Sequence, residues 1–217
     1  MQFALDIDTA QPPSHEPLAD AAWVLRGFAL QQGELLLSEV AAIARAAAFR
    51  HLETPGGKRM SVAMTNCGRL GWVSDRRGYR YAAEDPLSRA RWPAMPAAFA
   101  TLARAAAEAA GFADFAPNAC LVNRYQPGAQ LTLHQDRDEG NYDQPIVSVS
   151  LGLPATFLFG GDTRRERQQR VPLQHGDVVV WGGPSRLRFH GVLPLKPGVH
   201  PLTGALRYNL TFRCAEP

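Results

Sequence analysis

The segment LTLHQDRDEG, residues 131–140, places one histidine and three acidic residues directly after an apolar run that alternates like a strand. His134 and Asp136 are two positions apart, so on a strand both side chains point to the same face. An imidazole and a carboxylate side by side suit a divalent first-row metal ion. Short His-x-Asp motifs also occur by chance, so a metal site requires a further ligand elsewhere in the chain.

The further ligand is expected to be a second histidine that the fold returns to this face. His190, in RLRFHGV, is the one other histidine within a predicted strand, whereas loops or helix ends are predicted for the remaining four: His15, His51, His175 and His200. Two histidines and one carboxylate leave three adjacent coordination positions open, as in the non-haem iron(II) oxygenases. A histidine buried in the core or in a turn, without a metal, is an equally good interpretation of His190 at this point.

The segment LRYNLTFR, residues 206–213, offers groups that bind an organic dianion. Strand alternation predicts that one face carries four polar side chains: Arg207, Asn209, Thr211 and Arg213. An arginine presents a rigid fork of donors to a carboxylate, so one guanidinium for each carboxylate is sufficient. Asn123 and Tyr125, in CLVNRY, share a face and add neutral donors for the same ligand. The alternative is an ordinary solvated sheet face.

The elements that must position these groups are mostly strands. From residue 115 to 217, short apolar segments separated by Gly, Pro and Asp turns follow one another without a helix: CLVNRY, LTLH, IVSVSLGL, TFLFGG, DVVVWGG, LRFHGVLPL and ALRYNLTFR. This pattern predicts an α+β, mostly β fold with a jelly-roll core, that is, a double-stranded β-helix. Two supporting helices are predicted in the N-terminal half, at 34–49 and 95–111, the second with a glycine C-cap.

A chain of 217 residues fits one domain, which we place at 21–217 after a flexible N-terminal arm at 1–20 that contains three prolines. The three cysteines, Cys67, Cys120 and Cys214, are widely spaced and form neither a disulfide framework nor a CxxC zinc site, which favours a reducing compartment. No apolar run reaches membrane-spanning length and the N-terminus lacks a signal pattern. We therefore expect a soluble, cytoplasmic protein.

The net charge of +3 conceals a basic segment. Residues 58–91 contain eight basic and three acidic residues, together with Trp72, Tyr79 and Tyr81. Basic groups can follow a phosphate backbone while aromatic rings stack on bases. On charge alone, however, a solvated basic loop is the favoured interpretation.

Considered together, NRYQPGAQLTLHQDRDE, PIVSVSLGLPATFLFGG, HGDVVVWGGPSRLRFHG and RYNLTFR resemble the AlkB family of iron(II)- and 2-oxoglutarate-dependent dealkylating dioxygenases. The resemblance begins at about residue 20 and is dense from residue 54 onward. It implies that the iron ligands, and hence the catalytic centre, are His134, Asp136 and His190. It implies further that 2-oxoglutarate is held by Asn123, Tyr125, Arg207, Asn209 and Arg213.

The resemblance also turns the basic segment 58–91 into an expected nucleotide-recognition lid. Trp72 would stack on a flipped base and Tyr79 would contact a backbone phosphate. Asp138 would lie near the exocyclic amino group of the base, and Arg164 would add a nucleic-acid contact from a loop in which relatives differ most. Glu139 has the opposite strand parity and is predicted to be a solvated turn residue.

The implied activity is oxidative demethylation of N-alkylated bases, of the 1-methyladenine and 3-methylcytosine type, in single-stranded DNA or on flipped bases. Consumption of O2 and decarboxylation of 2-oxoglutarate are coupled to hydroxylation of the methyl group, and formaldehyde is released. The expected partner is alkylated DNA, with no membrane, and the protein is expected to be a monomer. The alternatives are an RNA (for example tRNA) demethylase or another substrate with the same mechanism, a non-catalytic jelly-roll module that binds a metal or small acid, and, less favoured, a zinc hydrolase.

Overall fold

The computed structural model describes residues 14–216. Its two helices are α1 (Gly33–Ala46) and α2 (Ala97–Ala109). Its strands in chain order are β1 (His15–Ala19), β2 (Ala22–Leu25), β3 (Arg50–Glu53), β4 (Arg59–Gly68), β5 (Gly71–Asp75), β6 (Gly78–Ala82), β7 (Ala119–Tyr125), β8 (Leu131–His134), β9 (Ile146–Gly152), β10 (Ala155–Phe159), β11 (Gln169–Leu173), β12 (Val178–Trp181), β13 (His190–Val192) and β14 (Arg207–Arg213).

Antiparallel pairing assembles the strands into two facing sheets and one hairpin. The larger sheet has the order β1-β2-β12-β9-β14-β7-β4-β3, the smaller one has the order β11-β10-β13-β8, and β5 pairs with β6 alone. The mostly β fold with two helices and a jelly-roll core, predicted from the sequence, is confirmed. The core is not confined to residues 115–217, because four strands that precede this region extend the larger sheet.

The larger sheet is buried on both faces, and this explains its long apolar runs. Its outer face packs on α1 and α2 in a cluster that includes Leu36, Phe99 and Phe212. Its inner face packs against the smaller sheet in a second cluster that includes Tyr125 and Trp181. A polar side chain on the inner face is therefore enclosed between the sheets, where it must find a partner or bind a ligand.

The two helices form where apolar residues recur at helical spacing. In α1 the buried positions include Leu36, Val40 and Ile43. After α2, Gly111 adopts a positive φ of 87°, and the Phe112 N–H donates to the Ala107 carbonyl at 2.9 Å. This is a Schellman-type ending, so the predicted glycine C-cap is confirmed.

The structure differs from the sequence predictions in several short segments. Residues 15–19 of the predicted flexible arm form β1, an edge strand of the larger sheet where Pro17 costs no interior hydrogen bond; the rest of that arm, up to residue 13, lies outside the described residues. Neither β3 nor β11 is among the predicted strands. β11 begins at Gln169, after the loop that carries Arg164. Because His15 and His51 lie in β1 and β3, strand context alone did not single out His190.

The basic segment 58–91, for which charge alone favours a solvated loop, contains the regular hairpin β5–β6, in which Trp72 is the register partner of Tyr81. Neither helix in the described part of the chain is long and apolar enough to cross a membrane.

Candidate metal centre

Three potential metal ligands meet on the smaller sheet, near the rim of the inter-sheet space. His134 ends β8 and His190 begins β13, and the two residues are paired in register across these strands. Asp136 Oδ1 lies 3.7 Å from His134 Nε2, and Asp136 Oδ2 lies 3.7 Å from His190 Nε2. One ligand atom from each residue lies within 4.8 Å of the other two. The structure thus brings together the three residues that the sequence nominated.

Backbone carbonyls orient both imidazole rings. His134 Nδ1 lies 2.8 Å from the Thr132 carbonyl oxygen, and His190 Nδ1 lies 3.0 Å from that of Arg188. A carbonyl oxygen can only accept, so each Nδ1 carries the proton and each Nε2 keeps its lone pair. This arrangement is typical of metal-binding histidines, whose second nitrogen fixes the ring and its tautomer.

Electrostatics keep Asp136 and His190 in the form that binds a cation. Burial alone would raise the pKa of Asp136, but the Arg213 guanidinium outweighs it and holds this pKa well below its usual range. Arg213 donates to Asp136 Oδ2 from Nε at 3.0 Å and from Nη2 at 2.6 Å. Burial lowers the pKa of His190 to about 4, so its imidazole is neutral at pH 7.

A second set of polar groups forms an anion pocket between the sheets, composed of Arg207 and Tyr125. They are register partners on β14 and β7, and Arg207 Cζ lies 4.8 Å from the centroid of the Tyr125 ring. Arg207 Nη2 donates to Ser150 Oγ at 3.0 Å. Among the described residues, Arg207 Nε and Nη1 and the Tyr125 hydroxyl have no hydrogen-bond partner. A buried guanidinium without a carboxylate partner is costly, so an anion bound in this pocket would stabilise it.

A ladder of amides and hydroxyls lies on the larger sheet, where Asn209 and Thr211 stand between Arg207 and Arg213 on β14. The Asn123 amide donates to Asn209 Oδ1 at 3.1 Å, and Thr211 Oγ1 donates to the same oxygen at 3.0 Å. The Asn209 amide in turn donates to Ser148 Oγ at 2.8 Å. Asn209 is therefore engaged within the sheet, whereas Asn123 Oδ1 has no partner among the described residues.

These groups match the requirements of iron(II) and a 2-oxo diacid. Two imidazoles and one carboxylate on one side of a metal leave adjacent positions for a bidentate ligand. The unpaired donors of Arg207 and Tyr125 supply a partner for a distant carboxylate. The donor chemistry of the residues present therefore fits both groups.

The β5–β6 hairpin reaches the residues that follow the metal ligands. The Trp72 and Tyr79 rings are stacked, with centroids 5.5 Å apart and planes inclined by 14°. Trp72 Nε1 donates to Asp138 Oδ2 at 2.7 Å. The structure thus joins three of the four residues nominated for substrate binding. The fourth, Arg164, lies on the β10–β11 connection, where its Cζ is 5.2 Å from the ring of Phe189, the residue before His190.

The prediction for Glu139 is wrong. Its side chain is only 2% exposed and lies 3.3 Å from Arg186 Nη2. β8 ends at His134, so strand parity no longer applies five residues later in an irregular segment. The chain there turns Asp138 outward and Glu139 inward.

Sequence reasoning also missed several residues around the site. Ser148 and Ser150 line the inner face of β9, and their alternation with valine and leucine in IVSVSLG was the available signal. Trp181 packs its ring 5.0 Å from that of His190. Arg186 lies in a short turn between β12 and β13, where no periodic pattern marks it.

Comparisons with known proteins agree with this geometry. A family model described as the 2OG-Fe(II) oxygenase superfamily matches residues 22–213. Alpha-ketoglutarate-dependent dioxygenase AlkB of Salmonella typhimurium is 57% identical over 211 residues, which cover 97% of this chain and 98% of the relative. The tRNA demethylase abh1 of Schizosaccharomyces pombe is 31% identical over 140 residues, which cover 63% of this chain and 46% of that protein. The solved structure of OsALKBH1 superposes with a TM-score of 0.82 at 29% identity, covering 92% of this chain and 99% of the other.

Proposed function

Because the chain belongs to the 2OG-Fe(II) oxygenase superfamily, and within it to the AlkB dioxygenases, we propose that it repairs alkylated DNA through the site formed by His134, Asp136 and His190. It is an iron(II)- and 2-oxoglutarate-dependent dioxygenase that demethylates alkylated nucleic-acid bases oxidatively. This excludes the non-catalytic binding module and the zinc hydrolase. What we propose beyond the family's activity is the role of each site residue, DNA as the preferred nucleic acid, and lesions of the 1-methyladenine and 3-methylcytosine type.

The single observation that carries the residue assignment is the buried guanidinium of Arg207, two of whose nitrogens have no partner among the described residues. Arg207 lies on the same strand as Arg213, the partner of Asp136. Arg207 is fully enclosed and keeps two free donors, which suit the distal carboxylate of 2-oxoglutarate. Tyr125 offers its hydroxyl to the same carboxylate. Asn123 has a free oxygen on the same face, and Asn209 and Arg213 hold the surrounding groups in place. The nominated co-substrate residues thus have two tasks, direct binding and orientation.

The protein contributes positioning and charge to the reaction. When bound, iron(II) and 2-oxoglutarate supply the activation of O2 that oxidises an N-methyl group to a hydroxymethyl group, which then leaves as formaldehyde. Arg213 keeps Asp136 ionised, and the backbone carbonyls of Thr132 and Arg188 keep both Nε2 atoms free. Trp181 and its apolar neighbours exclude water from the inner side of the site. No general base is required of the chain.

The hairpin supplies the substrate side of the site. A base within a duplex cannot reach the metal centre, so a flipped or single-stranded base is required. A methylated, positively charged base suits the face of Trp72, by cation–π attraction, and the carboxylate of Asp138. Tyr79 is 45% exposed beside Trp72 and is available to a backbone phosphate, and Arg164 provides a further contact. Residues 58–91 thereby act as the nucleotide-recognition lid.

A second candidate substrate is alkylated RNA, which the similarity to a tRNA demethylase favours. RNA differs from DNA at the 2′-hydroxyl, so selection between them depends on sugar contacts around the flipped nucleotide. We propose further that the protein acts as a monomer in the cytoplasm, in keeping with three cysteines that are free and buried.

The test is turnover of purified protein with iron(II), ascorbate, 2-oxoglutarate and a methylated oligonucleotide. Succinate, formaldehyde and a mass loss of one methylene group on matched DNA and RNA strands are measured by mass spectrometry. We expect demethylation of the DNA strand at the higher kcat/KM. Higher kcat/KM on RNA contradicts the choice of DNA, and the absence of succinate contradicts the proposal altogether.

A further inference from the structure

Glu139 is a buried carboxylate that the proposed reaction does not use. Its side chain is 2% exposed, although the preceding residue, Asp138, faces solvent. A buried carboxylate is unfavourable unless opposite charges and hydrogen bonds compensate for its lost hydration. The residues that contact the Glu139 carboxylate therefore indicate its role in the structure.

Two arginines and one tyrosine compensate for the burial of Glu139. Arg213 Nε lies 3.3 Å from Oε1, and Arg186 Nη2 lies 3.3 Å from Oε2. The Tyr81 hydroxyl donates to Oε1 at 2.7 Å. Both carboxylate oxygens thus have partners within the protein itself.

The same two arginines hold Asp136. Arg213 donates to Asp136 Oδ2 from Nε and Nη2, and Arg186 Nη1 donates to the Asp136 backbone carbonyl at 3.1 Å. Arg213 is therefore shared between the two carboxylates, whereas Arg186 contacts only the Glu139 carboxylate and reaches Asp136 through its backbone carbonyl. Two guanidinium charges thus face two carboxylate charges. If Glu139 lost its charge, Arg186 would keep no carboxylate partner among the described residues and Arg213 would keep only Asp136, so net positive charge would remain beside the site of a divalent cation.

Tyr81 connects this charge network with the hairpin. It lies on β6, directly opposite Trp72 of β5. The hairpin is thus attached to two consecutive residues, through Trp72 to Asp138 and through Tyr81 to Glu139. Only the second attachment leads, through Arg213, to a metal ligand.

We propose that Glu139 is a positioning residue that orients Asp136 through Arg213 and Arg186, and that Tyr81 couples this orientation to the β5–β6 hairpin. The inference rests on the proposed function in one respect, because it takes Asp136 as an iron ligand. Since coupled binding equilibria are reciprocal, metal binding also stabilises the hairpin.

The first test is the affinity of the full chain for Fe(II), without nucleic acid, measured anaerobically by competition with a chromophoric chelator. Glu139→Gln keeps the size of the side chain and removes its charge, and we expect the Kd for Fe(II) to rise about 10- to 100-fold, as for other groups that support a metal ligand. Glu139→Asp restores the charge and recovers part of the affinity. Asp143→Asn, which removes an exposed carboxylate from the same connection, leaves the Kd unchanged.

The second test uses Tyr81→Phe, which removes one hydroxyl. Loss of this hydrogen bond is expected to raise the Kd about 2- to 10-fold. Hydrogen exchange of the amides at 71–82 is measured with and without Fe(II). Fe(II) slows this exchange in the wild type and has little effect on it in Tyr81→Phe.

The outcomes separate the inference from the function on which it rests. An unchanged Kd in folded Glu139→Gln overturns the positioning role. If Glu139→Gln does not fold, Tyr81→Phe decides: reduced affinity and lost protection support the proposal, and unchanged values overturn it. A wild type that binds Fe(II) without a Glu139 effect refutes only this inference, whereas a wild type that binds no Fe(II) refutes the metal site itself.

Discussion

At the scale of the residue, the site depends on which polar atoms of the histidines and of Arg207 already have a hydrogen-bond partner within the protein. Backbone carbonyls accept hydrogen bonds from the Nδ1–H groups of both histidines, so the Nε2 atoms face Asp136. Arg207 is the opposite case, since only one of its nitrogens has a partner among the described residues. The first pattern prepares ligands for a cation, and the second leaves donors for an anion.

Removal of the Arg207 charge is expected to weaken co-substrate binding selectively. Arg207→Gln loses hydrogen bonds to a charged group, which are each worth about 1.5–3 kcal/mol, so the KM for 2-oxoglutarate rises about 10- to 150-fold. Steady-state kinetics at saturating oligonucleotide measure this change. Ser150→Ala, which removes only the existing partner of Arg207, serves as the control and has a smaller effect. An equal rise in both variants would contradict the role of the free donors.

The depressed pKa of His190 predicts acid sensitivity of the metal-free protein. Burial lowers the pKa of His190 from 6.5 to about 4, so below pH 6.5 the unfolded chain takes up a proton that the folded protein resists. The free energy of unfolding therefore falls between pH 6.5 and 4, by about 3 kcal/mol from this residue at 1.36 kcal/mol for each pH unit. Urea unfolding of wild type and His190→Gln at several pH values checks this, and the variant should show the flatter profile.

Side-chain orientations could be predicted from the sequence where the backbone is a regular strand, and not where it is irregular. The polar face of β14 could be predicted because strict alternation holds along the strand, from Arg207 to Arg213. The burial of Glu139 could not be predicted, because alternation stops where β8 ends at His134. Its partners Arg186 and Tyr81 come from distant turns and hairpins, and only the folded chain brings them together.

At the scale of the element, the β5–β6 hairpin is separate from the two larger sheets. It pairs with neither sheet, and it carries both stacked aromatic rings of the proposed lid. Its regular register was missed because RLGWVSDRRGYRYAA is rich in arginine and glycine and has no apolar periodicity. β1 and β3 were missed for a similar reason, since HEPLA and RHLE lack an apolar pattern and depend on a neighbouring strand for pairing.

Truncation of Trp72 is expected to impair substrate binding and to leave metal binding intact. Stacking of one base on an aromatic ring is worth about 1–3 kcal/mol, so Trp72→Ala raises the KM for the methylated oligonucleotide about 5- to 150-fold. Trp72→Phe retains a ring and should show a smaller rise. Competition binding of Fe(II) is the control, and a comparable loss of Fe(II) affinity in Trp72→Ala would show that the ring supports the metal centre instead.

At the scale of the whole molecule, basic charge is concentrated in the proposed lid, residues 58–91. The turn at Lys58 and the tip of the hairpin at Arg76 are neighbours, since a Cβ added to Gly57 would lie 3.9 Å from Arg76 Nη2. Both basic residues are exposed. We expect these two residues to extend the proposed nucleotide-recognition surface.

This charge predicts the salt dependence of oligonucleotide binding. For single strands, log K falls with log salt with a slope of about −0.7 for each phosphate neutralised, so Lys58→Ala/Arg76→Ala reduces the magnitude of the slope by about 1.4. Fluorescence anisotropy at several salt concentrations measures the slope. Arg104→Ala, on the exposed face of α2, is expected to leave it unchanged, and an unaltered slope in the double variant would place the strand elsewhere.

The position of β14 has a consequence for how the protein is made. This strand, the last in chain order among those described, lies between β9 and β7 in the middle of the larger sheet. On the ribosome, the chain must therefore emerge beyond residue 213 before the two halves of that sheet can join. Until then β7 and β9 present open edges that invite pairing with other chains. Because Arg207 and Arg213 also lie on β14, the last strand that completes the sheet also completes the site, and a nascent chain cannot acquire activity before it can fold.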